Sequence, residues 1–342
     1  MKIAIDAMGG DTGPGVIIEG AIDYLRDYHK DIGLTLVGKE KEIKKELRKN
    51  NSLGAEKIEI VNALEAVSMR EQFFSYWRKR ERTSIKKALD LVKQKKAQAM
   101  VSAGNTGAVM AIAKTVLGML KSIDRPALAV MIPTLKSNAL LVDVGANVDS
   151  TPKNLVQFAL MGKVYLEAMH GIKRPRIGLM SVGEEDVKGN ELTKVTHNLL
   201  KSLDINFVGN VEGKDVYAGE TDLIVTDGFT GNIMIKVSEG VISAMHSMLK
   251  RETMSDLLAR VGFFFLKSSL RRLKKKLDYT EYGGALLLGV NGIVIIGHGR
   301  SSKNAVKNAI NLSKEFIRGN ILTKISREID SMQGTFKELK YV

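Results

Sequence analysis

A short run of β-branched and apolar residues, closed by a Gly, Asn and Asp loop and followed by a helix-like stretch, recurs from one end of the chain to the other. The clearest instances are Ile3 to Asp6 ahead of Gly9, Gly10 and Asp11, Ala99 to Ser102 ahead of Gly104 to Gly107, and Leu140 to Asp143 ahead of Gly145 to Asn147. Ile177 to Met180, Leu223 to Thr226 and Ile293 to Ile296 repeat the pattern, and Leu34 to Val37 and Ile58 to Val61 read as further strands. Strands that are apolar throughout are buried on both faces, which predicts the α/β class with a mostly parallel sheet covered on both sides. Ligands in such sheets bind beyond the carboxyl ends of the strands, near helix amino ends. The six Gly/Asn/Asp loops are therefore expected on one edge, forming at least one anion or small-molecule site.

One stretch departs from the alternation. From Gly240 to Leu277 no strand signal appears, and Leu266, Leu270, Leu273 and Leu277 are spaced for one face of an amphipathic helix. No linker, low-complexity tract or fixed-period repeat divides the chain, so residues 1–342 are expected to form one domain, with 240–278 as a helical excursion. No apolar run is long enough to cross a bilayer, and Asp6 interrupts what would be the apolar part of a signal peptide, which predicts a cytoplasmic protein.

The 342 residues contain no cysteine, which excludes disulfides, thiolate metal sites and cysteine nucleophiles. The 52 Lys and Arg residues against 38 Asp and Glu give a formal charge of +14, which favours anionic partners by long-range attraction. A P-loop is absent, Gly9 to Gly15 does not satisfy the dinucleotide fingerprint, and no Gly-x-Ser-x-Gly elbow occurs. The five histidines are scattered and none has an aspartate five residues on, so neither a metal centre nor a His-Asp pair is expected.

Read in order, the loops resemble the signature of the PlsX family of phosphate acyltransferases. The match runs through Asp6 to Asp11, Val101 to Ala108, Asp143 to Asn147, Gly183 to Glu185 with Lys188 and Gly189, Asn206 to Gly213, Asp227 to Asn232, and Tyr282 to Ala285 with His298 and Gly299. Seven motifs in this order cover nearly the whole chain. The resemblance implies a three-layer α/β/α fold akin to isocitrate and isopropylmalate dehydrogenases, a homodimer, and transfer of a fatty acyl group from acyl carrier protein to inorganic phosphate. The acyl phosphate would feed glycerol-phosphate acylation in bacterial phospholipid synthesis, so the membrane acyltransferase that consumes it is a further expected partner. Thr12 and Gly13 stand where that family commonly has His-Ala, and Leu286 where it often has proline. A first-loop histidine therefore has no role here.

Phosphate dianion is a competent nucleophile near neutral pH, so such an enzyme must hold phosphate against the thioester and stabilise the oxyanion, without a covalent intermediate. Ser102, Gly104, Asn105, Thr106 and Gly107 are the expected phosphate loop, with Asn105 and Thr106 adding side-chain donors. Asn147 and Asn232 are candidates for polarising the carbonyl. Lys188 is a candidate for neutralising phosphate or assisting the departing thiolate, and His298 is the one histidine in a strand-end loop. Asp6, Asp11, Asp143 and Asp227 are expected to organise loops rather than to act as bases, and Gly9, Gly10 and Glu184 to serve the same loops or the substrate.

Phe263, Phe264, Leu266 and Leu270 with Arg271 and Lys275 are expected to contact a dimer partner or, reversibly, the anionic inner face of the membrane. No cofactor and no nucleic-acid partner is expected. Two other readings stay open on residues alone: an NAD(P)-dependent dehydrogenase of similar fold, and a basic lipid- or nucleic-acid-binding protein in which the loops are structural.

Overall fold

The computed structural model describes residues 1–28, 32–50, 58–253, 257–277 and 283–331. The strands are β1 (Lys2–Asp6), β2 (Gly33–Gly38), β3 (Ile58–Asn62), β4 (Ala99–Ser102), β5 (Ala127–Pro133), β6 (Asn138–Val142), β7 (Ile177–Met180), β8 (Phe207–Val211), β9 (Leu223–Val225), β10 (Ala285–Leu288) and β11 (Ile293–Ile296). The helices are α1 (Pro14–Tyr28), α2 (Glu40–Lys49), α3 (Phe73–Lys79), α4 (Ser84–Lys93), α5 (Thr106–Leu117), α6 (Pro152–His170), α7 (Glu191–Lys201), α8 (Gly228–Thr253), α9 (Leu257–Leu277), α10 (Lys303–Gly319) and α11 (Ile321–Ser331).

All these strands join one sheet in the order β3-β2-β1-β4-β11-β10-β5-β6-β9-β7-β8. Successive side chains leave a strand on opposite faces, and the core divides accordingly. Ile3, Ile5, Leu34, Leu36, Ile293 and Ile295 point into the layer built by α1, α6 and α10. Ala4, Val37, Met100 and Val294 point the other way, onto α4 and α5. Helices thus cover both faces, as a sheet of doubly buried strands requires.

Local signals set the helix ends. Thr151 and Asn154 form a reciprocal capping box with Pro152 in the first turn of α6, and Gly171 closes that helix in the left-handed region at φ 68°.

The sheet does not run one way. β3, β2, β1, β4 and β11 are mutually parallel, β10 is antiparallel to both β11 and β5, and β5 is antiparallel to β6. β6, β9, β7 and β8 are again parallel to one another but opposed to the first group. The expectation that six loops share one edge is corrected in direction: they leave their strands in two opposite directions, while the register sets Ile296 level with Ala285 and Val142, through Ala129, level with Leu286, so the two groups of strand ends meet at nearly one level. The reversal comes from β5 and β10, which the recurring strand-loop-helix pattern did not reveal.

The helical excursion starts earlier than Gly240, at Gly228, where Asp227 accepts from the Thr230 amide at 2.9 Å and its hydroxyl at 2.8 Å. α8 and α9 pack on each other, and α8 leaves Val237, Val241, Met245 and Met248 exposed. On α9, Phe263 and Leu270 are half-buried, while Phe264 and Phe265 are 72% and 75% exposed. Leu266 and Arg271 are also exposed; the Lys275 side chain lies outside the described residues, as does Tyr282. Among the described residues no helix is long and apolar enough to cross a membrane.

Candidate active site

Loops after β1, β4 and β11 form the first cluster. They approach backbone to backbone: a Cβ at Gly9 would stand 2.6 Å from the Gly104 amide nitrogen, so only glycine fits. The Asp11 amide donates to the Gly299 carbonyl at 2.7 Å, and Gly10, at φ 93°, lies over that same carbonyl. Beneath them Asp6 is fully buried, and its carboxylate accepts from the Ser102 hydroxyl at 2.7 Å and the Met8 amide at 3.1 Å. Burial pushes the Asp6 carboxyl up from its ordinary value, against the pull of these bonds.

This bonding engages several groups of the expected phosphate loop. Ser102 is completely buried and donates its proton to Asp6, while the Gly104 amide donates to the Ser102 oxygen at 3.0 Å. Asn105 is the N-cap of α5: its oxygen accepts from the Ala108 amide at 3.0 Å, and its amide donates to the Met69 carbonyl at 3.0 Å. The same nitrogen lies 3.5 Å from the Ser68 carbonyl, so the Asn105 amide is turned toward residues 68–69. The amides of Thr106 and Gly107 donate to no protein acceptor among the described residues, and they open the positive end of α5.

His298 is exposed at the rim of this cluster. Its Nδ1 accepts from the Arg300 amide at 3.1 Å, so the neutral ring carries its proton on Nε2. The Ser68–Met69 loop that meets Asn105 was missed from sequence. Its signal was present in Ser68-Met-Arg-Glu71, where Glu71 accepts from the Ser68 amide at 3.0 Å and the Ser68 oxygen accepts from the Arg70 amide at 3.4 Å.

Loops after β6, β9 and β7 form the second cluster. Buried Asp143 takes donors on both oxygens: the amides of Leu128, Gly145, Ala146 and Asn147 and the Asn147 side chain, at 2.8 to 3.1 Å. Burial again pushes its carboxyl up while these bonds draw it down, and the net direction is up. The Asn147 side-chain amide also donates to the Pro126 carbonyl at 2.7 Å. With both its side-chain hydrogens bonded to Pro126 and Asp143, Asn147 braces the Asp143 turn.

The first turn of α8 sits on that brace. The Gly228 amide donates to the Asn147 carbonyl at 2.8 Å, and a Cβ at Gly231 would fall 1.9 Å from the Asp143 carbonyl. Asn232, one residue on, is exposed and lies beside Gly145, and its side chain is bonded to no protein group among the described residues. Lys188 is exposed, its stem packs over Gly183, and it pairs with no carboxylate among the described residues. Glu184 is held by Lys214 at 3.0 Å.

The structure therefore groups Thr106, Gly107 and His298 on the loops of the first set of strands, and Asn232 and Lys188 on those of the second. Register pairs Ala285 with Ile296, and Leu286 with Ala129, which in turn faces Val142, so the ends of β11 and β6 lie one residue apart in level, about 3 Å along the strand direction. Val144 and Ala285 belong to the packing of both α5 and α8 on the intervening face. The first set of loops offers amides to an anion; the second offers a neutral donor and an ammonium.

The fatty acid synthesis protein family model matches residues 1–324. The phosphate acyltransferase of Thermodesulfovibrio yellowstonii is 47% identical over 97% of this chain and 95% of its own length. Among solved structures, a phosphotransacetylase from Streptococcus pyogenes aligns with TM-score 0.61 at 17% identity, covering 96% of this chain and 94% of that one. A 4-hydroxythreonine-4-phosphate dehydrogenase from Klebsiella pneumoniae aligns with TM-score 0.51 at 14% identity, covering 94% and 99%. At these identities the structural likenesses speak for the fold alone, which phosphotransacylases and a dehydrogenase share. The sequence match across the full sheet and both loop clusters decides the family: the chain belongs to the fatty acid synthesis proteins of the phosphate acyltransferase (PlsX) family and is an acyltransferase.

Proposed function

We propose that the protein transfers a fatty acyl group from acyl carrier protein to inorganic phosphate, and that phosphate attacks the thioester directly. The observation that supports this reading is the pair of amides at Thr106 and Gly107, unpartnered among the described residues, at the start of α5, where an anion would be favoured. A phosphate oxygen forms the new bond to the acyl carbon, the carbon–sulfur bond breaks, and the thiolate leaves with the carrier. Asn232 donates to the carbonyl oxygen as it gains charge, and Lys188 compensates phosphate or the departing sulfur. His298, with Nε2–H directed away from the Arg300 amide, is placed to serve the phosphate end.

Direct attack is supported by the residues that are lacking or locked. The chain has no cysteine, and Ser102, the hydroxyl beside a carboxylate, is completely buried. The formal charge of +14 suits an acidic carrier protein.

The same reading assigns α8 and α9 to surfaces. Ile233, Val237, Val241 and Met245 recur every four residues and are exposed, which suits burial against a second copy in a homodimer. Exposed Phe264, Phe265 and Leu266 beside Lys267, Arg271 and Arg272 suit reversible attachment to the anionic inner face of the cell membrane. That location would deliver acyl phosphate to a membrane glycerol-phosphate acyltransferase.

The test is incubation of the pure protein with palmitoyl acyl carrier protein and phosphate, followed by trapping with hydroxylamine. Acyl hydroxamate that depends on both substrates is the expected product. Its absence, with nicotinamide-cofactor reduction in its place, would move the chain to the dehydrogenase reading that the shared fold allows.

A further inference from the structure

The loop that carries Lys188 is gripped by one face of α7. Thr193, His197 and Lys201 are spaced four apart and so lie on one stripe of that helix. A Cβ at Gly189, whose φ is 106°, would stand 2.0 Å from the Thr193 hydroxyl oxygen, so the chain returns to α7 in contact with it. Lys201 pairs with Asp186 at 2.7 Å. His197, between them, is 2% exposed.

The bonds of this histidine are set by chemistry rather than by choice. The Asn210 side-chain nitrogen lies 2.8 Å from the Glu185 carbonyl, which only accepts, so Nδ2 is the donor there. Asn210 Oδ1 is then the atom that faces His197 Nδ1 at 3.0 Å, and the ring must donate from Nδ1. The same Glu185 carbonyl accepts from the Lys188 amide at 3.0 Å. An unbroken chain of bonds thus runs from the buried imidazole through Asn210 and Glu185 to the backbone of Lys188. The other ring nitrogen, Nε2, carries no proton in this tautomer and makes no hydrogen bond, although the Asp186 carboxylate of the same loop lies 3.3 Å away. Phe207 closes the ring's remaining side with an edge contact at 5.0 Å between centroids.

We propose that His197 is a positioning residue of the acyl transfer: through Nδ1–H and Asn210 it sets the conformation of residues 183–189, and with it the placement of Lys188. Asp186 and Lys201, the charged groups of the loop and of α7 at this contact, hold the second side of the same clamp. The role of Lys188 in the reaction rests on the function proposed above; the positioning of the loop does not.

The test combines amide hydrogen exchange with steady-state kinetics on the full chain, using palmitoyl acyl carrier protein and phosphate. His197→Ala is expected to speed exchange of residues 183–189 at least tenfold while α10 keeps its wild-type protection. Asp186→Ala, at an exposed position that the fold tolerates, is expected to give a smaller rise at the same amides. His197→Ala should lower kcat/KM by the same factor as Lys188→Ala, with no further loss when the two are combined, and His197→Gln, which keeps an N–H donor toward Asn210, should recover most of the activity. A melting-temperature loss alone would leave those ratios multiplicative. Wild-type exchange of residues 183–189 in both His197→Ala and Asp186→Ala overturns the proposal. Faster loop exchange together with full activity of Lys188→Ala upholds the positioning and removes Lys188 from the reaction instead.

Discussion

The side-chain amide of Asn105 donates to the carbonyl of Met69 at 3.0 Å while the oxygen of the same group caps α5 through the Ala108 amide. One residue thus starts the helix that presents the anion site and ties it to the Ser68–Met69 loop. Asn105→Ala removes both bonds and is expected to cost about 1 kcal/mol through the cap alone, or roughly 2 °C in melting temperature for a chain of this size. Asn105→Asp keeps the cap and melts near wild type, yet its negative charge beside Thr106 and Gly107 raises the KM for phosphate more than the alanine does. Melting curves and phosphate titrations of the two variants check this; equal phosphate KM in both would separate Asn105 from the anion site.

Thr106 occupies the first helical position of α5, and Asn105 before it has φ −58° and ψ 112°, a conformation compatible with a following proline. Thr106→Pro therefore deletes one amide donor without disturbing the helix. A hydrogen bond to a charged group is worth about 1.5–3 kcal/mol, so the KM for phosphate is expected to rise by roughly one to two orders of magnitude. Thr106→Ala, which keeps the amide, should lose far less. Similar constants for the two variants would place phosphate elsewhere.

Acid stability should carry the signature of Asp222. Burial alone would raise its carboxyl, but bonds from the Arg176 guanidinium, at 2.9 and 3.1 Å, and from the Arg176 amide overcome this and hold it below its ordinary value. A depressed carboxyl contributes stability that is present above its unfolded value and lost as pH falls through its folded value. Arg176 is 37% exposed, so solvent screening limits the pair to about 1 kcal/mol. The melting-temperature gap between wild type and Asp222→Asn is expected to be constant from neutral pH down to about pH 5 and to close below about pH 4. A gap that widens on acidification would contradict the assignment.

Membrane attachment is checked on α9. Phe264 and Phe265 are largely exposed and touch edge to face with ring centroids 5.8 Å apart, whereas Leu270 is half-buried and a poorer probe. Phe264→Glu with Phe265→Glu should abolish sedimentation with anionic liposomes and leave transfer in solution within about twofold of wild type. Wild-type binding should weaken with added salt, because each basic residue at an anionic surface contributes roughly 1 kcal/mol. Undiminished liposome binding by the double variant would place the contact elsewhere.

The strand-loop-helix repeat made eight strands and the two-sided sheet legible, because doubly buried parallel strands write themselves as unbroken apolar runs. β5, β8 and β10 were not legible for separate reasons. Ala285 to Leu288 is as good a helix former as a strand former, Phe207 to Val211 is interrupted by Gly209 and Asn210, and Ala127 to Pro133 carries no closing glycine loop. Missing β5 and β10 hid the reversal of strand direction, and with it the division of the loops into two clusters. The loops were found, and Thr106, Gly107, Asn232 and Lys188 were named among their donors, but which donors are already bonded within the protein was not legible. Whether Asn105, Ser102 or Asn147 can meet a ligand depends on which partner its hydrogens already have, and those partners, Met69, Asp6 and Pro126, lie 21 to 96 residues away in the chain.

Direct attack by phosphate is the centre of the account, and single-turnover mass spectrometry addresses it most directly. The protein is incubated with palmitoyl acyl carrier protein in the absence of phosphate, its intact mass is recorded, and phosphate is then added. The account predicts no acylated protein at any time before phosphate, followed by appearance of acyl phosphate at the rate at which thioester is lost. An increase in protein mass by one acyl group before phosphate is added, discharged when phosphate arrives, would contradict it.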